Sequence, residues 1–400
     1  MEKTILSAHA DPQEFKKFLT NAVCFISLGL GTASLGPILP FLADNVRVSI
    51  GQISFVFTAQ NLGYLLGSVG GSWLYDHFKS HKLMAFSLGL MVVMGLLIPL
   101  MSWYYALLVV LLFFGLGLGT IDAGGNLNLM WLLQSRVGPF MNALHFSFGL
   151  GAFLSPIIIS YVMAWSGGSL MWAMWALVIL YLPGLIGLIT FESPENIATK
   201  DHHGITTPVN YRMIIPIILL FFLSVGIQTG FGGWVFTYVS ELSIADVSKA
   251  ALMTSLFWGA MTLGRMIAIP FSKKVEPHLM LLISCILTVL TMGLILIWPL
   301  SSWMMWVGSA GLGLATATIF PTLMAFAEAR MTMTGRITGL FFLGSGLGMM
   351  VLPMLLGQIF EYLGGYLMML TLFALAALAL VIMIFLNKNR FQEKVRDADA

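Results

Sequence analysis

Gly149-Leu150-Gly151-Ala152-Phe153-Leu154-Ser155-Pro156 returns in the second half of the chain as Gly346-Leu347-Gly348-Met349-Met350-Val351-Leu352-Pro353. Glycine, leucine, glycine and proline keep their order, 197 positions apart. Gly167-Gly168 and Gly364-Gly365 keep the same offset, and Gly115-Leu116-Gly117-Leu118 recurs 196 positions on as Gly311-Leu312-Gly313-Leu314. Glycine-rich segments can match by chance, but these matches share an offset close to half of a 400-residue chain. The chain therefore reads as two copies of one unit.

The solvent of that unit follows from composition. Hydrophobic residues make up 58% of the chain and charged residues 9%, with a mean hydropathy of +0.93. A soluble domain carries about 25% charged residues, so this surface suits lipid rather than water. Runs of roughly 20 apolar residues are needed to cross a bilayer. Spanning helices are read at 18–43, 50–75, 83–101, 104–133, 138–165 and 170–190, then at 213–240, 248–270, 277–298, 302–328, 334–359 and 362–386. Between the sets lies the one long hydrophilic interval, with Pro194, Asp201, His202, His203 and Pro208. The expectation is an all-α membrane protein of twelve transmembrane helices in two six-helix pseudo-repeats: a bundle over 1–190, a cytoplasmic linker over 191–212 and a second bundle over 213–400.

Cytoplasmic loops carry an excess of Lys and Arg. With this assignment, 17 of the 19 Lys and Arg fall on one side, and only Arg47 and Lys249 on the other. The reading is a cytoplasmic (inner) membrane protein with both termini inside. The first 17 residues are polar, so no cleavable leader is expected. A net charge of +2 without basic–aromatic clusters argues against nucleic acid. No phosphate-binding loop, dinucleotide fingerprint or metal-ligand spacing is present, so neither ATP-driven transport, nor an enzyme, nor a cofactor is expected. Cys24 and Cys285 lie in apolar runs and give no disulfide framework.

Ionisable groups inside spans are costly, at least about 2.5–3.5 kcal/mol at the bilayer centre, and are functional candidates. Asp122 lies in helix 4, 14 residues before Arg136. At about 1.5 Å per residue that places it roughly 21 Å deep. Its repeat counterpart is Thr318, so two-fold packing does not require an acid there. It is read as an ion-coupling group or a ligand for solute hydroxyls, against the plainer reading of a structural acid. Asn126 sits one turn on, on the same face. His145 in helix 5 has Phe342 as its repeat counterpart, another break of symmetry. In helix 7, Gln228 and Trp234 flank glycines, a pattern in which the amide bonds sugar hydroxyls and the indole stacks on a pyranose; glycine-mediated packing is the alternative. Gln60, Asn61 and Trp258 complete the candidate solute contacts. Asp76 with Arg136, and Arg265 with Glu328, fall at corresponding helix ends and are read as two gate pairs.

Several of these residues sit in motifs that resemble a known family. Gly119-Thr120-Ile121-Asp122-Ala123-Gly124-Gly125-Asn126, Gly138-Pro139 and Ala143-Leu144-His145-Phe146-Ser147-Phe148-Gly149 resemble the sodium-dependent glucose transporter-like branch of the fucose:proton symporter family, within the major facilitator superfamily. Gly232-Gly233-Trp234, Phe257-Trp258-Gly259, Gly264-Arg265 and Phe320-Pro321-Thr322 are similar to the same branch. The resemblance implies a major facilitator fold with a solute site near the midplane between halves. It implies a sugar permease, often a symporter, and carries a sugar-site or coupling role onto Asp122, Asn126, His145 and Trp234. Two positions depart from the pattern. Gln228 replaces a common acid in helix 7, and Gly348-Met349-Met350 replaces one in helix 11. These losses favour a proton over sodium, because a sodium site needs several oxygen ligands. The loop after helix 2 keeps Asp76 but has His77, Lys79 and Ser80 where the superfamily has Arg, Gly and Arg. The expected function is secondary active transport of a monosaccharide or related small polar solute by a monomer, with proton-driven efflux of amphipathic compounds as the alternative.

Overall fold

A computed structural model of the chain describes residues 12–194, 211–272, 274–331 and 335–398. Lipid offers no hydrogen bonds to a bare backbone, so apolar spans must bond internally as helices. All regular structure among the described residues is accordingly helical. The first half contains α1 (Pro12–Val46), the short α2 (Ile50–Ile53), α3 (Phe55–Tyr75), α4 (Ser80–Leu97), α5 (Tyr104–Leu133), α6 (Val137–Trp165) and α7 (Leu170–Thr190). The second contains α8 (Tyr211–Glu241), α9 (Val247–Ser272), α10 (Pro277–Ile297), α11 (Ser302–Thr316), α12 (Ile319–Glu328), α13 (Gly335–Leu363) and α14 (Gly365–Ala398). Of the expected linker over 191–212, residues 195–210 lie outside the described residues.

Eleven helical spans among the described residues are long and apolar enough to cross a bilayer, α11 and α12 counting as one. The twelfth expected span is α3, whose 21 residues give the length but include Gln60, Asn61, Ser68 and Ser72. Apolar side chains such as Phe86, Ile186, Leu290 and Val381 point outward, as lipid-facing surfaces require.

Packing repeats as the sequence does. In the first half α1 lies along α6 and α3 along α5; in the second α8 lies along α13 and α9 along α11. The halves meet through α6 against α9, α3 against α13, and α1 against α8. The turns closing α6 and α13 use the repeated glycines in left-handed backbone, with φ of 69° at Gly167 and 87° at Gly364.

One close approach sets up the site. Glycines at four-residue spacing let spanning helices touch backbone to backbone. A Cβ at Gly63 or Gly67 of α3 would meet the carbonyls of Leu112 and Leu116, and one at Gly115 or Gly119 of α5 would meet those of Gln60 and Tyr64. The contact is reciprocal, and it brings Tyr64 alongside Asp122.

Candidate functional site

Asp122 sits in this α3–α5 seam, partly buried. Tyr64 donates its hydroxyl to Asp122 Oδ2. Asn126 Nδ2 donates to Oδ1 at 3.1 Å and to the backbone carbonyl of Asp122 at 2.8 Å. The one-turn relation read from the sequence is therefore a direct contact. Tyr64 is the partner that the sequence reading missed; the signal was its place one residue after Gly63 in the glycine seam.

Beside this seam, between the halves, is a cavity of about 610 Å³. Asn142, His145 and Phe146 of α6 form one wall. Thr262, Arg265 and Ile269 of α9, with Thr318, Phe320 and Thr322 around the α11–α12 junction, form the other. The cavity reaches Val275 in the loop before α10 and Pro277 at its start, at the end of the bundle where Lys274 lies. Asp122, His145 and Arg265 are within electrostatic reach of one another, although Asp122 is not part of the cavity wall.

The α11–α12 junction has a simple cause. Proline has no N–H, so the carbonyl four residues earlier loses its helical partner. Pro321 frees the carbonyl of Ala317, and the helix breaks between Thr316 and Ile319. Arg265 Nε donates to that carbonyl at 3.2 Å. Its Nη2 lies 3.9 Å from Met261 Sδ, and neither terminal nitrogen meets an oxygen among the described residues. At Thr318, where the first half has Asp122, the second half has a broken helix; Pro321 was the legible signal.

The opposite end of the bundle is closed by hydrogen bonds between the halves. Gln358 Nε2 of α13 donates to Gly51 O at 2.5 Å and to Ser54 Oγ at 3.2 Å. Ser54 Oγ reaches Met354 O at 3.1 Å, Thr58 Oγ1 reaches Met350 O at 3.0 Å, and Asn61 Nδ2 reaches Met349 O at 3.0 Å. Gly51 N donates to Glu361 Oε2 at 3.3 Å. Ser54, Thr58 and Asn61 recur at intervals of four and three, so they share one face. Asn61, a candidate solute contact from sequence, is thus engaged in this seal, and Gln60 is buried at 5% exposure where its backbone meets α5.

The α8 candidates, Gln228 and Trp234, lie away from the cavity wall. Trp234 is 0% exposed, donates Nε1 to Pro353 O at 2.8 Å, and stacks on Phe360 with Phe57 tilted against it. Both faces proposed for a pyranose are covered in this conformation. Gln228 donates Nε2 to Met261 Sδ. Trp258 is 6% exposed, and its Nε1 has no partner among the described residues, which leaves a donor one turn from Thr262.

Neither expected gate pair is formed in this conformation. Arg136 bonds Glu14 at 3.1 Å instead, because the start of α1 lies beside the start of α6. Arg265 is turned to the carbonyl that Pro321 frees, and Asp76 and Glu328 are exposed without an ion pair among the described residues.

A duplicated bundle of apolar helices enclosing a largely apolar cavity with a few polar side chains between its halves, reaching one end and sealed at the other, defines a multi-pass membrane transporter rather than an enzyme. The chain belongs to the Major Facilitator Superfamily, whose family model matches residues 22–353 and 245–400. It is similar to a Danio rerio protein named sodium-dependent glucose transporter 1, 31% identical over 394 residues, covering 88% of this chain and 66% of that one. The Homo sapiens protein of the same name is 28% identical over 83% of this chain and 71% of its own. The chain thus spans just under two thirds of the zebrafish relative's length. Among solved structures, a bacterial homologue of the human lysosomal transporter Spinster, in an inward-facing occupied conformation, superposes with a TM-score of 0.76 at 12% identity, covering 95% of this chain and 98% of that one. A nucleoside transporter, NupG, does so at 0.74 and 15% identity, covering 92% and 99%.

Proposed function

We propose that this chain moves a monosaccharide or a related small polar solute across the membrane by alternating access, coupled to protons rather than sodium. The observation that carries the reading is the asymmetry between the two ends: a cavity reaching the Lys/Arg-rich end, and a cross-half seal at the other. With the Lys/Arg-rich end in the cytoplasm, the conformation is inward-facing. The names of these two relatives support a sugar. The units that rock are the bundles over 1–190 and 213–400.

Asp122 is the coupling group in this reading. Its carboxylate is held by Tyr64 and Asn126 beside the cavity, where gain or loss of a proton changes the field at His145 and Arg265. A proton is favoured because the α8 and α13 positions that commonly hold acids carry Gln228 and Gly348-Met349-Met350. The pairs Asp76–Arg136 and Arg265–Glu328 are contacts for the outward-facing state, in which the cavity end closes. A ligand-free equilibrium between the two states shifts only as far as such contacts differ between them.

The test is uptake of radiolabelled hexose and hexuronate by proteoliposomes under an imposed proton gradient. Accumulation that collapses with a protonophore supports the reading. Uptake equal to that of protein-free liposomes overturns it, and extrusion of an amphipathic dye in the same vesicles would put efflux in its place. The apolar wall residues Phe146, Ile269 and Phe320 are what favour that second reading.

A further inference from the structure

A cavity's fixed charges decide what charge its occupant bears, because a buried charge without a counter-charge is costly. Among the residues lining this cavity, Arg265 is the single fully charged one, and no Asp or Glu is on the wall. The nearby carboxylate, Asp122, is already engaged. Tyr64 and Asn126 donate to its two oxygens, and it stands behind the wall rather than on it. Arg265 has five N–H donors. One is spent on Ala317 O at 3.2 Å, and the sulfur of Met261, 3.9 Å from Nη2, is a weak acceptor. The outer edge of the guanidinium is left without an oxygen among the described residues. Pro321 fixes this arrangement by presenting the one carbonyl that orients Nε. The hydroxyls of Thr262 and Thr318 stand on the same wall, with the amide of Asn142 and the imidazole of His145 on the α6 wall opposite.

We propose that the solute carries one carboxylate, bound to the free edge of Arg265, with its hydroxyls facing Thr262, Thr318, Asn142 and His145; the solute is a sugar acid rather than a neutral hexose. This rests on the carrier reading above and narrows its substrate class. A guanidinium and a carboxylate match as two parallel N–H···O bonds, shorter and about twice as strong as neutral ones. One guanidinium balances one negative charge, so a monoanion suits the wall better than a phosphate ester with a charge near −2.

The test uses purified full-length protein in detergent, with binding of glucose, glucuronate, glucuronamide and glucose 6-phosphate measured by calorimetry. Glucuronamide keeps the shape of the acid without its charge, so the wild-type protein alone gives the answer. A charge-assisted bond is worth roughly 1.5–3 kcal/mol, which predicts that glucuronate binds at least about tenfold more tightly than glucuronamide. The ratio of these two affinities should collapse towards one in Arg265→Gln and be largely kept in Arg265→Lys. Equal affinities in wild type overturn the inference, as does a ratio unchanged in a folded Arg265→Gln protein. Tightest binding of glucose 6-phosphate overturns the carboxylate class. Counterflow in proteoliposomes separates the two levels of reading: exchange of glucose without glucuronate sinks the sugar-acid inference and leaves the carrier, and exchange of neither sinks both.

Discussion

Replacing Gln358 with alanine should loosen the sealed end. Its amide makes two bonds across the halves, at 2.5 Å to Gly51 O and 3.2 Å to Ser54 Oγ. A net hydrogen bond contributes about 0.5–1.5 kcal/mol, so the sealed state should lose about 1–3 kcal/mol relative to the opened one. The opened state gives these groups water as partners, which puts the expected value in the lower half of that range. Coupling free energies of this size correspond to roughly 5–150-fold in an equilibrium constant. The assay is labelling of a single introduced cysteine at Met350 by a membrane-impermeant maleimide. Met350 contributes its backbone carbonyl to the seal, so a side-chain change there spares the bond from Thr58. The native thiols Cys24 and Cys285 are buried and give little background. Labelling should rise several-fold in the Gln358→Ala background. If the rate stays the same while the protein remains folded, these bonds do not hold the halves together, and the seal must rest on apolar packing alone.

Asp122→Asn should abolish accumulation against a gradient and keep solute exchange, because the amide preserves the bulk and the oxygen facing Tyr64 or Asn126; full accumulation by the variant would remove Asp122 from coupling. Trp234→Phe removes the bond to Pro353 and part of the stack on Phe360. It should lower Tm and raise labelling at the sealed end with little change in solute affinity, and a large loss of affinity at unchanged Tm would return the indole to the solute site. Pro321→Ala restores an N–H able to bond Ala317 O within the helix. The expected outcome is a Tm at or above wild type with weaker solute binding, since Arg265 loses its anchor; unchanged binding would show that the helix break does not position Arg265.

The duplication, the apolar helices and the place of Asp122 inside one of them were all legible in the sequence, because each is a local or periodic property. Apolar length sets a span, glycine and proline spacing marks the repeat, and one acid among apolar residues is conspicuous. The Asp122–Asn126 contact was legible for the same reason, as one helical turn fixes it. The partners across helices were not. Tyr64 meets Asp122 only because Gly63, Gly67, Gly115 and Gly119 let α3 and α5 touch. Trp234 looked like a sugar platform in its own segment, yet its surroundings come from Pro353, Phe57 and Phe360, each distant in the chain. Asn61 likewise reads as a free amide until α13 is placed against it. Arg265 could be placed near a helix end by counting, but its partner depended on a carbonyl that Pro321 frees in another helix. The sequence by itself determined which segments are apolar enough to cross the bilayer and which ionisable groups lie within them, because lipid imposes that choice residue by residue. Which polar groups face one another was decided only by tertiary structure, because those contacts depend on how two similar bundles dock, and docking geometry leaves no mark of its own in a local stretch of chain.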